Sequence, residues 1–403
     1  MSRILFAYMY VRGKRFPMSE GLYSRLCALN ALNAVFENFK PLDDALDKNA
    51  EKYKLSAQDK SFAHALCGYV LRYKDALQDR VNTQANRTRD IDPPHLNTLM
   101  LMGAAQIYLM DGVANHAAVS TSVDLAVRIK CPKQKGLVNG LLRNLIRGDT
   151  PSLKPSLPAG LVGLWADDYG DALAKNIEVA SLKEAKIGVT NKDGKWAIRE
   201  EWSDLTPDEW VQDYSSHKPV SLLDNDLTGV TVLDLCAAPG GKTMQLAARG
   251  ATVTAVDISE KRLKRLRENL DRTGLGDNVE IVCADILKYK PETDFDIVLL
   301  DAPCSATGTI RRHPDLPYIR GQEDMDALVK LQSQMLFRAK KWVKSNGTLI
   351  YCTCSLQKIE GEYQIESFLE DNPTTYKQQR NPIRLLPSEG DRDGFFISFL
   401  TRK

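Results

Sequence analysis

The chain has 403 residues, of which 43% are hydrophobic and 26% charged, and its formal net charge is +2. This is the composition of an ordinary globular protein, and the length predicts two or three domains. No apolar run approaches the ~20 residues that a membrane helix requires, so the sequence argues against a membrane span.

The eight cysteines include no Cys-x-x-Cys pair. The two that are nearest in sequence, Cys352 and Cys354, provide too few ligands for a zinc site, so we expect no bound metal. Free thiols without a secretory signal indicate a reducing compartment. The cytoplasm is therefore the expected location.

Residues 1–19 are predicted to be an N-terminal extension. Its first 17 residues are basic and contain no acid, which leaves organelle targeting or a start at Met18 as alternatives. Residues 1–150 carry 21 Lys and Arg against 14 Asp and Glu. This balance suits an anionic partner such as RNA, although a solvated helical surface would show the same charge.

Residues 20–147 are predicted to form an all-helical bundle of about five to seven helices. Apolar residues recur at helical spacing from Leu22 to Val35. Further helical stretches cover roughly 56–80, 94–111, 116–130 and 134–147. Residues 148–160, with three prolines, are predicted to be a linker. Residues 161–229 are predicted to be a small intermediate region that contacts RNA.

From Val230 onward, short apolar strands alternate with helices, which predicts an α/β domain over residues 230–403. The expected architecture is a Rossmann-like, doubly wound mixed sheet. A final strand at 394–400 is predicted to lie at its edge. The predicted strands are 230–235, 251–257, 279–283, 295–301 and 347–353, and the helices start near 242 and cover 260–273 and about 322–345.

A turn of small residues follows the first predicted strand and suits close approach of a ligand. It matches neither the dinucleotide pattern GxGxxG nor the P-loop pattern. Three acids, Asp257, Asp285 and Asp301, end the next strands at the same sheet edge, where ligands of open α/β sheets bind. Helix capping and turn formation are the alternative roles for each acid. The turn consists of Cys236, Ala237, Ala238, Pro239, Gly240, Gly241 and Lys242.

Two cysteines, Cys304 and Cys354, follow strands that end at this same edge. Cytosine C5 is a poor nucleophile, and a thiolate that adds to C6 makes it reactive toward a methyl sulfonium. Asp301 is placed to hold N3 and the 4-amino group of the base. These positions predict covalent catalysis, whereas Cys236, Cys283 and Cys352 fit small buried side chains.

The strings DLCAAPGGKT, DAPCSATG, IRRHPD and TCS resemble the motifs of bacterial ribosomal RNA (cytosine-C5) methyltransferases of the Fmu/Sun (RsmB) type. The resemblance implies that Cys354 is the nucleophile and that Cys304 assists product release. It also implies that S-adenosylmethionine is bound by residues 236–242 with Asp257, Asp285 and Asp301. Residues 24–147 resemble the RNA-binding domain of the antitermination factor NusB.

The implied partner is small-subunit (16S) ribosomal RNA, with a target base that leaves its stack, and a monomer is expected. Arg311 and Arg312 are predicted to contact RNA, with a solvated turn as the alternative. The family's Arg is missing from 187–191, which puts part of the RNA contact in doubt. Three alternatives stay open: the same chemistry on another RNA such as tRNA, a methyltransferase for protein or small molecules, and a non-catalytic RNA-binding assembly factor.

Overall fold

The computed structural model describes residues 8–11, 14–17 and 21–403, with only the backbone at Trp202. Contacts between residues divide the chain into two compact units. The helical unit comprises the residues up to Leu157 together with 317–319, and the α/β unit comprises 158–316 and 320–403. The predicted intermediate region therefore belongs to the α/β unit.

The predicted N-terminal extension is described only at two short strands, β1 (Tyr8–Val11) and β2 (Lys14–Pro17), which pair antiparallel. Its other residues, including Met18, lie outside the described residues. From residue 21 the unit is helical, as predicted. Its helices are α1 (Leu22–Asn38), α2 (Leu42–Tyr53), α3 (Ala57–Arg72), α4 (Lys74–Gln84), α5 (Pro94–Leu109), α6 (Asn115–Arg128) and α7 (Lys135–Arg147).

Helix α5 is the centre of this bundle, because every residue from Leu96 to Gln106 is buried. A helix that is apolar on all sides is expected to be enclosed by others. The stretch predicted as one helix over 56–80 is two helices, since Tyr73 ends α3 and precedes α4.

The α/β unit begins with two helices and a small antiparallel sheet of order β4-β3-β5. The first helix starts inside the stretch predicted as a linker. These elements are α8 (Ala159–Tyr169), α9 (Asp171–Ser181), β3 (Ile187–Asn191), β4 (Trp196–Arg199), β5 (Glu209–Val211) and α10 (Tyr214–Ser221).

The large sheet confirms the Rossmann-like prediction, with order β11-β13-β10-β9-β6-β7-β8 and β12 paired to β13. Parallel strands run from β10 to β8 and helices connect them. The elements of this part of the chain are β6 (Thr231–Leu235), α11 (Gly241–Ala248), β7 (Thr252–Asp257), α12 (Glu260–Thr273), β8 (Val279–Cys283), β9 (Phe295–Asp301), α13 (Leu316–Ile319), α14 (Gln322–Ala339), β10 (Val343–Thr353), α15 (Glu362–Glu370), β11 (Tyr376–Gln378), β12 (Ile383–Leu385) and β13 (Phe395–Arg402). Of these, α13 belongs to the helical unit except for its first residue.

Two predictions about these elements are wrong. Strand β13 is not at the edge, because it pairs antiparallel with β10 on one side and with β11 and β12 on the other. Helix α14 ends at Ala339 rather than near 345, and β10 already begins at Val343.

The ladder brings the ends of the parallel strands to one edge. Cys352 lies beside Asp301 across β10 and β9, and Leu235 lies beside Leu300 across β6 and β9. The segments that follow Leu235, Asp301 and Thr353 therefore come together at the carboxyl edge of the sheet. No helix of the described residues is both long and apolar enough to span a membrane.

Candidate active site

The turn after β6 adopts backbone conformations that its small residues permit. Cys236 has φ 62° and Gly240 has φ 107°, both in the left-handed region. Glycine is required at position 240 because φ is positive there and because a Cβ would lie 2.1 Å from Leu266 Cδ1 of α12. The chain can thus enter α11 at Gly241 with its backbone close to the sheet edge.

The Asp257 carboxylate fastens this turn to the end of β7. It accepts hydrogen bonds from the backbone N of Ala238 at 3.2 Å and of Ser259 at 2.9 Å, and Arg262 lies 3.5 Å away. Asp285 instead accepts from the backbone N of Leu287 at 2.9 Å, which is a turn-capping contact. Contacts of both acids with a cofactor stay predictions.

Lys242 and Asp301 form an ion pair of 2.7 Å at the carboxyl edge. Burial opposes the charge on Lys242, but Asp301 outweighs it and raises the pKa of the amine. The Lys242 amine also donates to Ser216 Oγ at 2.9 Å, and the second Asp301 oxygen faces the Cys352 thiol at 3.5 Å. Cys352 is thus a buried donor that orients Asp301, a role that the sequence does not reveal.

The two predicted thiols meet, with 3.4 Å between Cys304 Sγ and Cys354 Sγ. The hydrogen bond with Cys354, followed by burial, raises the pKa of Cys304 well above its usual value. Both residues are intermediate in exposure rather than fully buried. One thiol that retains its proton beside a second thiol is the arrangement that an addition and release reaction needs.

Side chains hold the irregular segment that carries Cys304. Gly308 donates from its backbone N to Cys354 O at 2.9 Å, and a Cβ on Gly308 would lie 2.1 Å from Gly394 O. Behind this segment lies Glu360, a buried carboxylate that accepts from Ser305 N at 2.8 Å. Sequence reasoning missed Glu360, since a single acid among other acids after the last catalytic motif carries no distinguishing signal.

The structure places Arg311 and Arg312 differently from a solvated RNA-binding turn. Arg311 is 4% exposed and ion-paired with Asp391. Arg312 pairs with Asp213 at 2.8 Å and Asp393 at 2.9 Å. The guanidinium of Arg311 faces protein rather than solvent, so the expected RNA contact is not supported for Arg311 and stays a prediction for the partly exposed Arg312.

A cavity of about 230 Å³ is lined by the turn after β6 together with Lys242, Asp301 and Arg312, and its lining does not include Cys304 or Cys354. Its lining includes two carboxylate oxygens, Asp234 Oδ1 and Asp393 Oδ1, that are buried without a hydrogen-bond partner. Burial raises the pKa of Asp234 to about 7. The described residues contain no group of ligands that could hold a metal ion. The polar lining consists of Gln212, Asp213, Ser216, Asp234, Lys242, Asp301, Arg312 and Asp393.

The comparisons with known proteins agree with this geometry. The family model of the 16S rRNA methyltransferases RsmB/F matches residues 222–401, and that of the NusB family matches residues 23–147. Ribosomal RNA small subunit methyltransferase B of Cronobacter sakazakii is 32% identical over 437 aligned positions, which cover 96% of this chain and 100% of that protein.

Two solved structures show the same fold. The crystal structure of PH0851 aligns with a TM-score of 0.75 at 22% identity and covers 96% of this chain and 100% of that one. A methyltransferase homologue from Pyrococcus horikoshii aligns with a TM-score of 0.53 at 25% identity over 61% of this chain and 95% of that one.

Fold and site together define a Rossmann-like methyltransferase with a NusB-like helical unit before it. The 32% identity to the Cronobacter sakazakii protein over 96% of this chain confirms the family resemblance that the motifs indicate. The chain belongs to the RsmB/F family of 16S rRNA methyltransferases.

Proposed function

We propose that this protein methylates C5 of a cytosine in small-subunit ribosomal RNA through a covalent adduct between Cys354 and C6. The observation that carries the proposal is the pair of thiols 3.4 Å apart, next to the pair of Lys242 and Asp301. A methyltransferase for exocyclic amines needs neither thiol. Family membership supports the RNA substrate.

Cys354 is assigned the nucleophilic role. Its sulfur, as the thiolate, forms a bond to C6, and the electrons of the C5–C6 double bond become available at C5. Asp301, held by Lys242, accepts from the 4-amino group and orients the ring. After methylation a base such as water takes up the C5 proton, the electrons of the C5–H bond re-form the C5–C6 double bond, and the C6–S bond breaks with its electron pair returning to Cys354 as the thiolate. Cys304, which lies against Cys354, assists this last step.

The residues fit S-adenosylmethionine as the methyl donor. When bound, S-adenosylmethionine supplies the electrophilic methyl carbon that C5 takes up. The turn from Cys236 to Lys242 would hold it, because the backbone there lines the cavity. The unpartnered oxygen of Asp234 is a second sign that this cavity accepts a polar ligand. Asp257 acts through the turn that it fastens at Ala238.

An RNA substrate fits the basic first 150 residues. We infer that the enzyme acts as a monomer in the bacterial cytoplasm, where small-subunit RNA is assembled. The target base has to be unstacked, since neither thiol could reach a base inside a helix.

The test is a Cys304→Ser variant incubated with 16S ribosomal RNA and S-adenosylmethionine, then run on a denaturing gel. Without the release thiol, attack by Cys354 should leave the RNA covalently trapped. The adduct should vanish in the Cys304→Ser, Cys354→Ala double variant. A Cys304→Ser enzyme that turns over normally and traps nothing would contradict the thiol assignments.

A further inference from the structure

Glu360 lies behind the segment that carries Cys304, with 0% of its surface exposed. Its Oε1 accepts from Ser305 N at 2.8 Å and from Gln332 Nε2 at 2.9 Å, and its Oε2 accepts from Ser305 Oγ. Gln332 Nε2 also donates to Pro303 O at 2.9 Å. The carboxylate and its amide neighbour therefore hold the residues on both sides of Cys304.

Glu360 is itself anchored to the strand that carries Cys354. Its backbone carbonyl accepts from Tyr351 OH at 2.9 Å and from Thr353 Oγ1 at 3.3 Å. Tyr351 and Thr353 lie at the end of β10, directly before the nucleophile. Glu360 thus connects the two cysteine segments.

The two cysteines depend on Glu360 to different degrees. Cys354 follows β10, which two neighbouring strands hold through regular ladders. Cys304 lies in an irregular segment where Ala306 has φ 58°. Backbone hydrogen bonds hold this segment at Ala302 and Gly308, but between them the residues on either side of Cys304 are held by Glu360 and Gln332, so removing these side-chain contacts should displace Cys304 more than Cys354.

We propose that Glu360 is a positioning residue for product release, which holds the Cys304 thiol against Cys354. The proposal rests on the proposed function, because release has meaning only if an adduct forms. A carboxylate accepts all three of these hydrogen bonds with a negative charge, whereas an amide lacks the charge, offers one accepting oxygen and would require the Ser305 hydroxyl to turn and accept from its N–H group. The negative charge of Glu360 is one of the smaller influences that raise the pKa of Cys304, after the hydrogen bond with Cys354 and burial.

The experiment compares Glu360→Gln with wild type in the covalent adduct that accumulates with 16S ribosomal RNA and S-adenosylmethionine. We expect about tenfold more adduct at steady state, the size of effect that loss of a hydrogen bond to a charged group produces. The rate of adduct formation in the first turnover should change by less than about twofold, because β10 still holds Cys354. A general loss of structure would slow both steps and trap nothing.

The matched control is Glu209→Gln. Glu209 is also a buried carboxylate of the α/β unit, but it pairs with Arg199 and accepts from Thr206 N at 3.2 Å, away from both cysteines. Glu209→Gln should lower stability without raising the adduct. Gln332→Leu is a second test, useful if Glu360→Gln folds poorly, and should raise the adduct in the same direction by a smaller factor.

The outcomes separate the two proposals. If Cys304→Ser traps RNA but neither Glu360→Gln nor Gln332→Leu does, the role of Glu360 is wrong and the proposed function stands. If Cys304→Ser traps nothing, both the proposed function and the role of Glu360 are wrong. Equal slowing of attack and release in Glu360→Gln would also overturn the positioning role.

Discussion

The two units of the chain bury different kinds of polar side chain. Among residues 21–157, the buried polar groups are hydroxyls, amides and Arg25, and none is a carboxylate. The α/β unit buries eight carboxylates, which are Glu178, Glu209, Asp213, Asp234, Asp257, Asp315, Glu360 and Asp393. Since burying a charge costs far more than burying an amide, the difference needs a local reason.

In the helical unit, buried polar side chains form hydrogen bonds with one another. Asn97 donates to Gln78 Oε1 at 2.7 Å, and Arg25 donates to Gln106 at 2.6 Å while its guanidinium stacks on Phe62. The backbone there is regular helix, which satisfies its own hydrogen bonds. The described helices of this unit therefore need no buried carboxylate to hold them.

The α/β unit has irregular segments at its carboxyl edge, and several of the buried carboxylates hold them. Asp257 fastens the turn after β6, Glu360 holds the Cys304 segment, and Asp213 with Asp393 holds Arg312. The comparison teaches that several buried acids in the α/β unit hold backbone that is shaped for a site, whereas others, such as Glu209 in β5, pair with an arginine within a ladder.

The largest expected effect concerns Arg311, which the sequence assigns to RNA. Arg311→Met should lower the free energy of unfolding of the α/β unit by about 1.5–3 kcal/mol, because it removes the buried guanidinium that donates to the Arg392 carbonyl and the Asp391 carboxylate. The measurement is urea unfolding followed by tryptophan fluorescence. All five tryptophans lie between residues 165 and 342, so this signal reports the α/β unit.

The control for Arg311→Met is Arg265→Met in the same unit. Arg265 is exposed on α12, so its loss should change stability by no more than about 0.5 kcal/mol. If Arg311→Met instead leaves stability intact and weakens RNA binding, the RNA role predicted from the sequence is right and the comparison fails at this residue.

What the sequence predicts well follows from regular periodicity. Alternating strands and helices predict the sheet, and the ends of parallel strands predict that Cys304 and Cys354 meet. The edge position of β13 is wrong, because β11 and β12 have three residues each and leave no pattern to detect.

Side-chain burial at the site could not be predicted in the same way. Arg311 and Arg312 are adjacent and identical in type, yet only Arg311 is enclosed, by contacts with a segment 80 residues away. Glu360 and Glu362 differ in the same manner, since tertiary contacts alone decide which carboxylate faces Ser305. A single sequence carries no record of such contacts.

The second prediction concerns pH and Asp234. Burial raises the pKa of this carboxyl in the folded state to about 7, above its usual 3.8. The stability that its proton contributes is therefore complete below about pH 4 and is lost as the pH rises to about 7. Over this range, the stability of wild type relative to Asp234→Asn should fall by up to about 1.4 kcal/mol per pH unit.

The reference variant is needed because other groups titrate in the same range. Burial lowers the pKa of His217 to about 4, which acts in the opposite sense, and burial raises that of Asp393 to about 7. Both are present in wild type and in Asp234→Asn, so they cancel in the difference. A difference independent of pH would show that Asp234 is ionised throughout and that its burial is compensated.

The smallest expected effect tests the helical unit by packing alone. A Cβ on Gly103 of α5 would lie 2.7 Å from Leu142 Cδ2 of α7, and both residues are buried. Gly103→Ala should destabilise this unit by about 1–2 kcal/mol, since overpacking costs about 1–3 kcal/mol and the helix propensity of alanine returns up to about 1 kcal/mol. Far-UV circular dichroism follows the helices, whereas tryptophan fluorescence does not.

Gly140→Ala is the matched control, because Gly140 lies on α7 with nothing within 4 Å of the added Cβ. The same change should stabilise the unit there by up to about 1 kcal/mol. Opposite signs at the two glycines in circular dichroism, with no change in fluorescence, would show a bundle whose stability depends on neutral packing. Equal shifts in both signals would mean that the two units unfold together. Their different interiors would then belong to one cooperative unfolding unit.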